Sequence, residues 1–210
     1  MNDKHSLIQF GVTIPLAALA IALMSQTGTG TLPAYTPALV LSAVTPLTFG
    51  SWTILFGALF FLVKILFNIN RGRITLTDLG AIILLGLLID FWSFLFRGLS
   101  NASIGGQVFG LILACFFLAI VTILQGEMKI FALPSDALND AIAHRTMLHL
   151  PNRFQILDII CLVSGIILSF IFFQEFYGIG MATFVPPFLV PYLVYLIQQG
   201  LFKLEDSEFF

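Results

Sequence analysis

LPAYTPALVLSAVTPLTFGSWTILFG, residues Leu32 to Gly57, carries no charge. It opens with Leu-Pro, stays half apolar through an irregular stretch, passes Leu-Thr-Phe-Gly, and continues as a hydrophobic helix. A similar layout returns about a hundred residues later in LPSDALNDAIAHRTMLHLPNRFQI, residues Leu133 to Ile156. In both places a Leu-Pro starts a short helical or irregular piece, and a Gly or Pro hands over to a long apolar run. The expectation is that the protein acts where these two segments face each other.

Composition sets the class. Of 210 residues, 59% are hydrophobic and only 10% charged, with a mean hydropathy of +1.02. A soluble domain is usually about 45–50% apolar and needs a charged shell that these residues cannot supply. Apolar runs repeatedly approach about 18 residues, the length that spans roughly 30 Å of hydrocarbon. The fold class expected is therefore all-α, a polytopic membrane protein, because lipid offers the backbone no other partners. Six transmembrane helices are placed at about 7–25, 50–69, 75–97, 106–126, 154–174 and 181–200. The short charged lead and apolar run at the N-terminus read as a retained first helix, since no small-x-small cleavage site follows.

Lys and Arg orient the chain. With the N-terminus inside, Lys4, Arg71, Arg73, Lys129, Arg145, Arg153 and Lys203 fall on the cytoplasmic side and Arg97 alone outside. Both termini are then cytoplasmic. Residues 7–97 and 106–203 share one order within a single membrane domain, residues 1–210: helix, long Leu-Pro loop, helix, short loop, helix. An odd number of spans per unit inserts the second upside down, giving two inverted three-helix repeats. Such repeats are common in secondary transporters, whose sites lie between the units.

The order Gly28-x-Gly30-Thr31-Leu32-Pro33, Leu47-Thr48-Phe49-Gly50-Ser51-Trp52-Thr53 and Gly86-Leu87-Leu88-Ile89-Asp90 resembles the YczE/YyaS/YitT family. In the second half Leu133-Pro134-Ser135-Asp136-Ala137-Leu138 is similar to that family's Gly-Pro-Arg-Asp-Gly-Leu. Pro151-Asn152-Arg153 through Leu157-Asp158 is similar to its Ile-Gly-Arg…Leu-Asp stretch. The resemblance runs from about residue 8 to 203 and implies a multi-pass protein of the bacterial inner (plasma) membrane. One departure concerns function. Where the family often has Ser-Pro-Trp-Asp, Leu32-Pro33-Ala34-Tyr35 has no acid.

Asp90 is the most informative single side chain. It lies about 6 Å beyond the centre of its span at 1.5 Å per residue, where a carboxylate costs roughly 2.5–3.5 kcal/mol. It reads either as a proton, cation or cationic-substrate site, or as a carboxylate bonded to Ser93, Trp52 or a loop amide. Asp158 lies close to Arg153, five residues away where three or four would stack best on one helix, and reads as a structural ion pair at the cytoplasmic boundary; both it and Asp90 could also approach a cavity between the units. Trp52, at a loop-to-helix junction, could line a pocket or anchor the interface; Tyr35 and Asp136 lie on the two Leu-Pro segments. Lys64 can snorkel or pair with Asp78. Asp136, Asn139, Asp140 and His144 form a polar stripe, explained more simply by a water-facing interfacial helix than by a metal. Thr27–Thr31 could receive an anion on free backbone amides. Pro186, Pro187 and Pro191 break the bonding of span six.

Cys115 and Cys161 both fall in apolar runs, where a disulfide framework is not expected. No nucleophile–base pair, phosphate loop or metal motif is present, so neither an enzyme, a cofactor nor a metal is expected, and no basic patch suits nucleic acid. The partners expected are the lipid bilayer, a small molecule or ion, and a second copy or another membrane protein. The function expected is transport, coupled to protons through Asp90. Two alternatives stand beside it: the substrate-binding membrane subunit of an ATP-driven importer, with Ala18-x3-Ala22 as a close-contact face, and a non-transporting accessory or scaffold protein.

Overall fold

The computed structural model describes residues 3–66, 76–99, 103–127 and 156–207, and every regular element among them is a helix. In chain order these are α1 (Asp3–Gln26), a 3-10 turn (Pro33–Tyr35), α2 (Thr36–Val44), α3 (Phe49–Leu66), α4 (Leu76–Leu95), α5 (Ile104–Glu127), α6 (Ile156–Phe173), α7 (Met181–Phe184) and α8 (Pro186–Ser207). The six long helices coincide with the six apolar runs. Ile104–Gly126 is long and apolar enough to cross a bilayer, and shorter apolar helices include Gly11–Gln26, Phe49–Val63, Leu79–Leu95 and Leu157–Phe173. Those features are compatible with a membrane location.

The spine is α1, which packs against both α4 and α5. One of its faces, Ile14, Ala17, Ala18 and Ile21, joins Ala81, Leu85 and Ile89 of α4 and Ala34, Tyr35 and Ala38 of the second, broken helix. Another face, Ala20, Leu23 and Met24, joins Leu111, Ala114, Cys115 and Leu118 of α5, with Leu189 and Leu193 of α8 against them. Alanine on these faces lets neighbouring backbones come close, and van der Waals contact is what holds helices together where lipid is as apolar as the core. Ala18 and Ala22 are both fully buried. Outward faces are the reverse, with Leu55, Leu62, Phe91, Phe94, Phe109 and Ile171 at least half exposed.

Between α1 and α3 the chain runs into the protein over residues 30–40 and returns to the surface at residues 43–48. Pro33, Ala34, Tyr35, Thr36, Pro37, Ala38 and Val40 are all buried, and α2 packs on α6 and α3. Local chemistry explains the breaks. Thr27 closes α1, its amide reaching Leu23 O at 3.0 Å and its hydroxyl Met24 O at 2.9 Å. Leu32 is extended (φ −58°, ψ 148°), as the residue before a proline prefers. Thr45, which precedes Pro46, is extended for the same reason (φ −119°, ψ 162°) and ends α2. A Cβ on Gly165 of α6 would lie 2.6 Å from Thr36 Cγ2, so α2 sits in a notch that only glycine leaves open.

The sixth span, placed at 181–200 with its bonding broken by prolines, is in two pieces. It is α7 plus α8, joined at Val185. Pro186 occupies the first position of α8, where a missing N–H costs nothing, and only Pro191 lies inside the helix.

The second Leu-Pro segment, with Asp136, Asn139, Asp140 and His144, lies outside the described residues, as does Arg153. The same holds for the side chains of Lys64, Asp78 and His5.

Candidate functional site

Two places concentrate polar chemistry inside this apolar bundle. The first is where α3 crosses α4. A Cβ on Gly50 would fall 2.0 Å from the Gly86 carbonyl, and one on Gly86 2.4 Å from Ile54 Cγ1 and 2.6 Å from the Gly50 carbonyl. Backbone therefore meets backbone, and a side chain at either position would push the helices apart. That closeness brings Asp90 of α4 to the start of α3. Its carboxylate accepts the Gly50 N–H at 2.7 Å and the Thr48 hydroxyl. Thr48 Oγ1 in turn accepts the Ser51 N–H at 3.2 Å and pairs with the Ser51 hydroxyl at 2.7 Å. Free N–H groups and the positive end of the dipole at a helix start both favour an anion. Asp90 is thus a cap supplied by a neighbouring helix, its partners being a first-turn amide of α3 and the Thr48 hydroxyl.

Trp52 completes this corner. Its indole N–H donates to Thr45 Oγ1 at 2.7 Å, and Thr45 Oγ1 donates to Leu41 O at 2.7 Å. The indole thereby ties α3 to the last turn of α2 and holds the turn at residues 45–48. Tyr35 lies elsewhere, buried against a cavity of about 10 Å³ between the 3-10 turn, α2, α3 and α4, bordered also by Thr53, Phe56 and Gly57. That volume holds about one water. Trp52 is not among the residues that border it.

Asp158 sits half-buried in the first turn of α6, again at a helix start. Its neighbours Leu157 and Cys161 pack on Phe60 and Val63 of α3. Asp90 touches α3 at residue 50, so ten to thirteen residues of helix, about 15–20 Å at 1.5 Å each, separate the two acids. Asp90 thus meets the start of α3, whereas the residues beside Asp158 pack near its other end.

The second place is a seam between an irregular stretch of backbone, residues 27–32, and residues 178–183, where a glycine turn enters α7. Ala182 N–H donates to Thr29 O at 2.9 Å, and the Thr183 hydroxyl donates to Thr31 O at 2.8 Å. Gly30 (φ +99°) would place a Cβ 2.8 Å from Gly180 N and 3.0 Å from Gly178 O, so the two stretches touch through glycine. Thr27, Thr31 and Thr183 are fully buried. Thr31 Oγ1 has no hydrogen-bond partner among the described residues. Sequence reading singled out Thr27–Thr31 but missed its mate; the available signal was Gly178-Ile179-Gly180, two glycines interrupting an apolar stretch.

No curated protein and no solved structure matches the chain. Residues 4–199 match a family described as a family of unknown function, DUF6198. That match extends over nearly the whole chain, so it takes in both sides of the seam and the α3–α4 corner, and the protein belongs to the DUF6198 family.

Proposed function

We propose that the chain is a multi-pass transport protein of the bacterial inner membrane, with cytoplasmic termini and six spans in two inverted units. In the same proposal its kinship with the YczE/YyaS/YitT group is retained. The observation that carries it is the broken, largely buried backbone of residues 27–40, joined at Thr29 and Thr31 to residues 182 and 183. Irregular backbone inside a bilayer protein is tolerated where it is enclosed by protein or lines a cavity, and discontinuous helices of this kind build transporter sites.

Three further features support the arrangement. Exposed side chains on α3, α4, α5 and α6 are overwhelmingly aliphatic and aromatic, as lipid-facing surfaces are. The first helices of the two units, α1 and α5, are each 24 residues long and pack together, and each packs on the third long helix of its own unit, α4 or α8. One departure from symmetry stands among the described residues: α3 packs closely on α4, with no comparable contact between α6 and α8.

The solute path runs past Tyr35 and Thr53, where the broken helix leaves its small cavity, and Asp90 sets the outer corner. The full chain in proteoliposomes, screened for current or flux under sodium, potassium and proton gradients with a panel of small solutes, tests this. Protein-dependent movement that Tyr35→Ala alters is the expected result. Vesicles that stay silent, while in-cell crosslinking repeatedly recovers one membrane partner, would replace transport with the scaffold role.

A further inference from the structure

We infer that the 3-10 turn, α2 and α6 form one rigid body that swings against the other long helices about a paired glycine hinge, residues 27–32 and 178–183. Helix packing divides the described residues in two. α1 packs on α4 and α5, α3 on α4, and α8 on α5, so these five form a continuous scaffold. Among the described residues, the extended contacts of α6 are with α2 and the 3-10 turn alone. Gly165 seats Thr36 there, since a Cβ would lie 2.6 Å from Thr36 Cγ2. The loop after α6 belongs to the same body. Buried Ser169 donates to Glu175 O and accepts the Tyr177 N–H at 2.6 Å, and a Cβ on Gly178 would lie 3.2 Å from Leu39 Cδ2.

Two connections between this body and the scaffold run side by side. Residues 27–32 lead from α1 into the 3-10 turn, and residues 178–183 lead from the loop after α6 into α7. The Ala182 N–H on Thr29 O and the Thr183 hydroxyl on Thr31 O fasten one to the other, so the pair bends as a single strap. Gly28, Gly30 and Gly178 have φ of +71°, +99° and +73°, and glycine leaves or enters such conformations without a Cβ penalty. Hinges are a few loop or element-terminal residues that absorb changes of this kind. A further described connection, residues 45–48, enters the start of α3 and is pinned there by Trp52 and Asp90.

The start of α6, far from this strap, is held by apolar side chains, Leu157 and Cys161 resting on Phe60 and Val63 of α3. By contrast α3 is fixed to α4 through Gly50, Gly86 and the Asp90 cap, so α6 is the helix free to move. The cavity of about 10 Å³ lies between the two bodies, with Ala34, Tyr35 and Ala38 on one wall and Thr53, Phe56 and Gly57 on the other. Leu157 stands about 24 Å from the end of α6 at 1.5 Å per residue. A turn of about 15°, the scale of known rigid-body switches, moves Leu157 by about 6 Å and widens that cavity. The movement does not require transport; only its part in alternating access rests on the function proposed above.

The test uses the full chain in nanodiscs, with spin labels on exposed positions and their separation read by pulsed electron resonance. Cys115→Ala and Cys161→Ala clear the background. Leu62→Cys with Ile160→Cys spans the two bodies, and Leu55→Cys with Leu87→Cys lies within the scaffold. Two distances for the first pair, differing by about 5 Å, and one for the second are expected. Phe60→Ala removes the ring under Leu157 and Cys161 and should raise the share of the longer distance by about tenfold. In the unaltered chain a charged methanethiosulfonate should label Cys161 and spare Cys115, buried between α1 and α5; this reading decides should the labelled variants fail to fold. One distance for both pairs, equal broadening of both, or a Cys161 as protected as Cys115 overturns the hinge. Two distances without flux in vesicles would keep the hinge and remove the transporter; flux with one distance would do the opposite.

Discussion

Asp90→Asn sets two effects against each other. A carboxylate in the body of a span costs about 2.5–3.5 kcal/mol to insert, so neutralising it makes α4 easier to place in a bilayer. Against this stands the cap, with the Gly50 N–H at 2.7 Å and the Thr48 hydroxyl both donating to the carboxylate. Hydrogen bonds to a charged group contribute about 1.5–3 kcal/mol each, and because Asp90 is only half-buried and Thr48 is exposed, the lower end applies. Asn keeps one oxygen for Gly50 but turns an NH2 toward a hydroxyl that already accepts from Ser51. The expected loss is about 1–2 kcal/mol for Asp90→Asn and about 2–4 kcal/mol for Asp90→Ala. Equilibrium unfolding of the full chain in mixed micelles with added denaturing detergent isolates the cap, since insertion costs cancel when both states stay inserted. Thr48→Ala combined with Asp90→Asn should be non-additive by about 1 kcal/mol, as partners in one network are. An Asn variant as stable as the parent, or strict additivity with Thr48→Ala, refutes the assignment of Asp90 as the cap of α3.

Two other substitutions, Gly50→Ala and Trp52→Phe, probe the same corner, and Gly80→Ala serves as a control outside it. Gly50→Ala puts a methyl 2.0 Å from the Gly86 carbonyl and should destabilise by about 3 kcal/mol or more, whereas Gly80→Ala on α4, with nothing within 4 Å, should stabilise by about 0.5–1 kcal/mol; the same unfolding titration reads both signs. Trp52→Phe removes the bond to Thr45 and should cost about 1 kcal/mol, with faster hydrogen exchange confined to residues 41–48.

The helical class and the positions of the long helices were legible in residue order because each depends on local physics. Runs of about twenty apolar residues in α3, α4, α5 and α6 can satisfy their backbone in lipid only as helices. Prolines at 33 and 46 likewise force the residue before them out of the helix, so Leu32 is extended before the 3-10 turn and Thr45 ends α2. Asp90 could be singled out because a carboxylate in such a run is costly, whatever surrounds it.

Its partner could not be read, because the carboxylate lies 40 residues from Gly50 in sequence and meets it only where two glycines let α3 and α4 touch. Nor could the separation of Asp90 from Asp158, which follows from Asp90 capping the start of α3 while Leu157 and Cys161, beside Asp158, pack near its other end. The opening stretch shows the division most clearly. Its lack of charge and its prolines, written in residues 32–57, determine that it is apolar and broken into short pieces. What it is buried against, α6 through the notch at Gly165, and how the strand before it is bound, to Ala182 and Thr183 some 150 residues away, depend on helix packing. Long-range contacts depend on which small residues face each other, and that is decided only when the bundle closes.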